Sequence, residues 1–79
     1  MTKTEYKKCE NLMEEAIRKA IQSDEEYKTY NQLLNENIIK AETELRKADQ
    51  HYGEAIGINQ VLVTLDFKHD KMKELSHLL

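Results

Sequence analysis

The sequence has no proline and only two glycines, Gly53 and Gly57, among its 79 residues. Because proline and glycine are the residues that most often interrupt helices, their scarcity favours long helices. Good helix formers, namely Ala, Glu, Lys, Leu and Gln, make up much of the chain. We therefore predict an all-α protein.

Cysteine occurs only once, at Cys9, so no disulfide can form within the chain. A single unpaired cysteine is more typical of a reducing, cytosolic compartment than of a secreted protein. The first residues show no apolar secretion signal. The longest apolar run, 61–63, is far shorter than the roughly 20 residues of a membrane helix. We expect a cytoplasmic protein, formed as one domain over residues 1–79, that does not enter membranes.

A large excess of one charge sign is also lacking. Although 34% of the residues are charged, the formal net charge is only −3. Acidic and basic residues alternate, which is typical of solvated helix faces. No basic patch stands out that would bind phosphates, so we do not expect a nucleic-acid partner. The many Lys, Asn and Ile residues favour a bacterial or phage origin.

The apolar residues recur with helical spacing and predict three helices. The first covers residues 4–22. Ser23 and Glu26 form a capping-box pattern, which predicts that a second helix starts immediately after a tight turn and returns antiparallel to the first. The second helix is predicted over 24–65, because its apolar seam keeps one phase across both glycines. A bend at 66–69 and a short helix over 67–78 complete the chain.

This arrangement is a coiled-coil-like helical hairpin with one long helix, and a compact three-helix bundle with a turn at 53–57 is the alternative. A helix over 24–65 would be about 60 Å long, more than twice the length of the first helix. Its far half is apolar nearly all round, which is typical of a helix buried on several sides. We therefore expect completion by oligomerisation, as a dimer or higher homo-oligomer. The residues expected at this interface are Tyr52, Ala55, Ile56, Asn59, Leu62, Val63 and Leu65.

Residues with catalytic or metal-binding chemistry form no convincing group. Asp66 and His69 have a helical metal-site spacing, but no second motif of that kind is evident, and His51 and His77 lie elsewhere. Cys9 falls on an apolar stripe, where cysteine behaves as a small hydrophobe. The paired glutamates are one or two residues apart and do not share a helix face. We expect no catalytic residue, no metal site and no cofactor.

The function that follows is non-enzymatic protein–protein interaction. We expect a homo-oligomeric helical adaptor or regulatory subunit. The alternative is a small, phage-type inhibitor or modulator that docks one helical face onto a host enzyme or nucleic-acid-binding protein. The two differ in whether the apolar stretch is covered by a second copy or by another protein.

Overall fold

A computed structural model describes all 79 residues and contains three helices and no strand. Helix α1 covers Lys3–Leu33, α2 covers Ile38–Thr64 and α3 covers Met72–Leu78. α1 and α2 pack along their length as an antiparallel hairpin, and α3 packs against α1 near the open end of the hairpin. The molecule measures 51 × 16 × 16 Å. The predicted all-α hairpin is confirmed.

Helix α1 begins at a capping box. The Thr2 hydroxyl oxygen accepts a hydrogen bond from the backbone N–H of Glu5 at 3.1 Å, and the Glu5 carboxylate accepts one from the Thr2 N–H at 3.4 Å. This reciprocal pair satisfies two backbone donors that the first turn of a helix leaves unpaired. The hydrogen bonds to Thr2 also lower the pKa of the Glu5 carboxyl.

Helix α1 continues through Ser23, where the sequence predicted a turn, so the predicted helices over 4–22 and 24–65 are corrected. Ser23 is only 1% exposed and faces the inside of the hairpin. The physical reason is that the seam of α1 does not stop at this residue. It runs in alternating steps of four and three through Cys9, Met13, Ala16, Ala20, Ser23, Tyr27 and Tyr30. A helix cap is worth about 1 kcal/mol, less than continuous packing of this face against α2 provides.

The chain reverses at residues 34–37 instead. The backbone N–H groups of Glu36 and Asn37 donate to the carbonyl oxygen of Leu33 at 3.0 and 2.9 Å, which closes the end of α1. Asn37 then adopts an extended backbone conformation, and its side-chain oxygen accepts from the N–H of Lys40 at 3.1 Å. Asparagine is among the best N-cap residues, so this contact starts α2.

Helix α2 passes through both glycines without a break, as the unbroken seam predicted, and no reversal occurs at 53–57. Its fully buried residues are spaced seven apart, at Ala41, Ala48, Ala55 and Leu62. Three alanines on the inner face allow α1 to approach closely, because interaxial distance depends on the side chains at the contact.

The bend predicted at 66–69 is confirmed, but α3 begins at Met72 rather than at residue 67. Asp66 has a φ angle of 56°, in the left-handed region. The N–H of Phe67 donates to the carbonyl of Leu62, and that of Asp66 to the carbonyl of Val63, both at 3.0 Å. This pair of bonds is a Schellman motif, which ends α2.

The core lies at the open end of the hairpin, where all three helices meet. Phe67 follows the bend and Leu75 anchors α3, and both are buried against α1. The core cluster consists of Cys9, Met13, Ala16, Ile17, Ala20, Ala55, Leu62, Phe67 and Leu75. Toward the turn, the only fully buried residues of α2 are Ala41 and Ala48. Only small side chains of α2 therefore fill the space between the two helices there.

Candidate interaction surface

Two of the seven predicted interface residues lie in the core of the chain itself. Ala55 and Leu62 are both 0% exposed and belong to the same cluster as Met13. In this conformation both side chains are already covered within the chain. The reason is the length of α1, because a helix of 31 residues covers the whole inner face of α2, whereas the predicted helix over 4–22 would not.

Three further predicted residues, Tyr52, Ile56 and Asn59, are half-buried. The Tyr52 hydroxyl donates to the carbonyl oxygen of Leu79 at 2.6 Å, so it ties α2 to the residue after α3. Asn59 lies beside Phe67 in the cleft between α2 and α3. Tyr52 and Asn59 therefore lie next to the α3 region.

The last two predicted residues, Val63 and Leu65, are 62% and 53% exposed. Val61, which the prediction did not include, is exposed to a similar degree. The C-terminal half of α2 thus retains branched apolar side chains that its own chain leaves uncovered. Apolar residues exposed in a continuous group are typical of interaction sites, whereas single ones are ordinary.

A groove of about 400 Å³ lies between α1 and α2, with Leu12, Gly57, Ile58 and Val61 among its lining residues. We refer to these four residues as the open groove. Leu12 is 37% exposed. It lies about 140° around the helix axis from Ile17, which is on the side next to α3, so Leu12 is on the side of α1 that faces away from α3. The hairpin therefore has α3 on one side and an uncovered apolar groove on the other.

An ion pair between Lys19 and Glu54 bounds one end of the open groove. The hydrogen bond between the two raises the pKa of Lys19 and lowers the pKa of the Glu54 carboxyl. Glu15 lies 3.9 Å from the same ammonium group. Because all three groups are partly solvated, the pair contributes little to stability. It joins α1 to α2 and leaves this end of the groove lined by two carboxylates and one ammonium group.

A stripe of uncharged residues follows the outer face of α2 next to the groove. A stripe of exposed residues, which we call the glycine face, follows in steps of three and four: Gln50, Gly53, Gly57, Gln60 and Thr64. A Cβ atom built at either glycine would meet no atom within 4 Å. The sequence contains no charged residue between Glu54 and Asp66. The glycine face and the open groove share Gly57, and Glu54 borders both, because it lines the groove and accepts a hydrogen bond from Gln50 at 3.1 Å.

Charged residues flank this surface at both ends. Glu42 and Arg46 continue the stripe toward the hairpin turn, and both are exposed. None of the ion pairs within the chain involves either residue. At the other end, Asp66 and Lys68 form a pair at 2.9 Å, and both side chains are almost fully exposed. Each end therefore presents one acidic and one basic side chain to solvent.

Two of the three histidines join parts of the hairpin. His51 Nδ1 lies 2.7 Å from a carboxylate oxygen of Glu26, which connects α2 to α1. His69 Nε2 lies 3.0 Å from Glu10, and its Nδ1 accepts from the backbone N–H of Lys71 at 3.0 Å. A neutral His69 must therefore carry its proton on Nε2, where it donates to Glu10. The bonds from Lys7 and His69 lower the pKa of the Glu10 carboxyl.

Three further features concern metal binding, the Cys9 thiol and membrane insertion. No three His, Cys, Asp or Glu side chains come close enough together to hold a metal ion. Cys9 is buried in the core cluster beside Met13. None of the three helices has both the length and the apolar character needed to cross a lipid bilayer.

Comparison with known proteins gives no significant match to a family model, a curated protein sequence or a solved structure.

The seven predicted interface residues included neither Leu12 nor the two glycines, although the sequence predicts close approach of two helices at Gly53 and Gly57. The sequence places Leu12 on the apolar face of the first helix. It does not show how much of that face a neighbouring helix covers. The glycines did leave a signal. They fall on a stripe with regular three-and-four spacing whose other members, from Gln50 to Thr64, are all uncharged and polar.

Proposed function

We propose that the protein is a homo-oligomeric helical interaction module, serving as an adaptor or regulatory subunit rather than as an enzyme. The observation that supports this is the exposed surface made of the glycine face and the open groove, whose named members are all uncharged residues. In a chain with 34% charged residues, the segment 55–65 contains none. A surface in contact with water alone gives no reason to exclude charge.

The glycines add to this argument. A glycine inside a helix lowers its stability by roughly 0.5–1 kcal/mol relative to alanine. Neither Gly53 nor Gly57 returns that cost within the chain, because both face open space. A second helix that packs against them can approach the backbone of α2 more closely than other residues would allow. The gain from such a contact is made only in the oligomer.

A second copy of the same chain is the partner that fits this surface. In a two-fold dimer the same patch meets itself, so a charged patch would repel its own copy. The glycine face has no charge and avoids this repulsion. A chain of this length also buries a smaller fraction of its surface than larger domains do, so burying Leu12, Val61 and Leu65 at an interface would stabilise it.

The substitution Gly57→Gln tests the proposal, because its effects on one chain and on a dimer have opposite signs. In a single chain, Gln is a better helix former and meets no neighbour, so the helix should gain about 0.5–1 kcal/mol. In a dimer, the added side chain lies between the two helices and should drive the species to monomer. Sedimentation velocity and thermal unfolding measure both effects on the same sample.

Asn31→Gln is the matched control, because it adds a methylene at an exposed position of α1 outside the surface. It should leave the mass unchanged. Gly57→Gln protein that remains a dimer of unchanged affinity would contradict the proposal. A wild-type protein that is monomeric would also contradict it, and would favour docking of the open groove onto a helix of another protein.

A further inference from the structure

We infer that His69 is a pH-sensitive link between α3 and the hairpin, and that its protonation releases the first residue of α3. This inference goes beyond the proposed function and is independent of it, because it concerns contacts within one chain. His69 lies in the segment that joins α2 to α3. Its two ring nitrogens bond in different directions, one to α1 and the other to the start of α3.

On the side of α1, Nε2 of His69 lies 3.0 Å from the Glu10 carboxylate. The imidazole ring also stacks on the ring of Phe67, with the ring centroids 5.9 Å apart. Phe67 in turn contacts Tyr6 of α1, at a centroid distance of 5.1 Å. The side chain of His69 is only 17% exposed, so these contacts fix the ring against α1.

On the side of α3, His69 supplies two of the acceptors that start the helix. Its Nδ1 accepts from the backbone N–H of Lys71, and its carbonyl oxygen accepts from that of Met72, both at 3.0 Å. Lys71 is the N-cap of α3, and its own side chain makes no capping hydrogen bond. A helix of seven residues is too short to be stable by itself, so α3 depends on such contacts and on the burial of Leu75.

A proton on Nδ1 removes one of these bonds. Both ring nitrogens of a protonated histidine are donors, so Nδ1 can no longer accept from the N–H of Lys71. The bond to Glu10 gains charge assistance instead. The same proton therefore strengthens the contact of the ring with α1 and removes its contact with α3. Histidine is the side chain that ordinarily changes its charge between pH 5 and 8.

Charges of both signs surround the ring. α1 contributes the phenol of Tyr6, whose ring centroid lies 6.4 Å from that of His69, the Glu10 carboxylate and the Lys7 ammonium group, which pairs with Glu10 at 3.1 Å. α2 lines the neighbouring cleft only with the uncharged Asn59 and Val63. The connecting segment and α3 contribute Asp66, Lys68, Asp70, Lys71 and Lys73. Neither sign dominates, so the geometry of the two hydrogen bonds decides what protonation changes.

The consequence is a looser α3 at mildly acidic pH. Without the bond to Nδ1, α3 keeps the buried Leu75 and the hydrogen bond from the Tyr52 hydroxyl to the carbonyl oxygen of Leu79. Both contacts lie beyond the first turn, which is then free to fray. Fraying there opens the cleft between α2 and α3.

Nuclear magnetic resonance titration of the whole protein between about pH 8 and pH 5 tests the inference. The amide proton of Lys71 should move upfield, as expected for the loss of a hydrogen bond, with the same midpoint as the ring protons of His69. Hydrogen exchange at the amide of Leu75, which donates to the carbonyl of Lys71, should rise about fivefold relative to its intrinsic rate, because one hydrogen bond at the start of α3 is lost.

The variant His69→Asn keeps the acceptor and removes the titration. An asparagine side chain accepts from the backbone N–H two residues on and takes up no proton in this range, so the Lys71 amide should show no step. His77→Asn is the matched control, because it makes the same change at an exposed position in the last turn of α3, and it should retain the step.

A Lys71 amide that does not follow the ring of His69 would overturn the inference, and so would a step that persists in His69→Asn. The wild-type titration decides the matter by itself where the variant does not fold. Neither outcome bears on self-association, which the mass of the protein tests separately.

Discussion

At the scale of single residues, Tyr27 makes one of the contacts between α1 and α2. Its hydroxyl donates to the Asp49 carboxylate at 2.5 Å. This hydrogen bond raises the pKa of Tyr27 from 10.0 to about 12. Because the pKa is higher in the folded chain than in the unfolded chain, folding favours the neutral hydroxyl. The contribution to stability is complete below pH 10 and is lost as the pH rises toward 12.

Ultraviolet titration of the phenol groups tests this contact. We expect one of the four tyrosines to ionise later than the others, and Tyr27→Phe to remove that late step. Asp49→Asn should move it to lower pH, because the negative charge that opposes ionisation is gone. Tyr30→Phe is the control and should leave the late step in place. Simultaneous ionisation of all four tyrosines in the folded wild type would contradict the assignment.

At the scale of helices, the junction between α2 and α3 depends on one residue with unusual backbone geometry. Asp66 occupies the left-handed conformation at the position after the helix where glycine is preferred. A residue with a side chain pays an energetic cost there that glycine does not. The ion pair of Asp66 with Lys68 is too exposed to offset that cost.

Asp66→Gly should therefore stabilise the fold by about 1 kcal/mol, the size of the left-handed penalty less the added flexibility of the unfolded chain. Urea unfolding followed by circular dichroism measures the change. Asp70→Gly is the matched control, because Asp70 has no positive φ angle and the same substitution should bring no gain there. Equal effects of the two substitutions would show that the conformation of Asp66 does not limit stability.

The sequence predicted some helix ends correctly and others wrongly, for identifiable reasons. The phase of the seam showed that α2 crosses both glycines, and Asp66 marked the bend after it. The first turn was misplaced because the capping-box pattern at Ser23 was given more weight than the seam, which also continues across that residue. Asn37 carried the correct signal, since asparagine is as good an N-cap as serine.

At the scale of the whole molecule, the position of the hairpin turn decides which side chains of α2 are exposed. The apolar stretch from Tyr52 to Leu65 contains both buried and exposed side chains. Which of its side chains remain outside depends on how far α1 extends, and that followed from the position of the turn. Moving the turn from residue 23 to residues 34–37 buries Ala55 and Leu62 inside the chain and leaves Val61 on the surface.

The rod shape of the molecule leaves this surface of α2 exposed. The hairpin is 51 Å long and only 16 Å across, so much of α2 remains at the surface. α3 covers one side at the open end of the hairpin, and the open groove lies on the other. A second hairpin placed against this groove would contact both helices, because the groove is lined by Leu12 of α1 and by Gly57 and Val61 of α2.

The mass of the wild-type protein in solution tests the central claim most directly. Sedimentation equilibrium over a range of micromolar concentrations should give a species of about 19 kDa, twice the 9.3 kDa of one chain, that dissociates on dilution. A mass of 9.3 kDa at every concentration would show that the uncharged surface of α2 is not covered by a second copy, and would contradict the account.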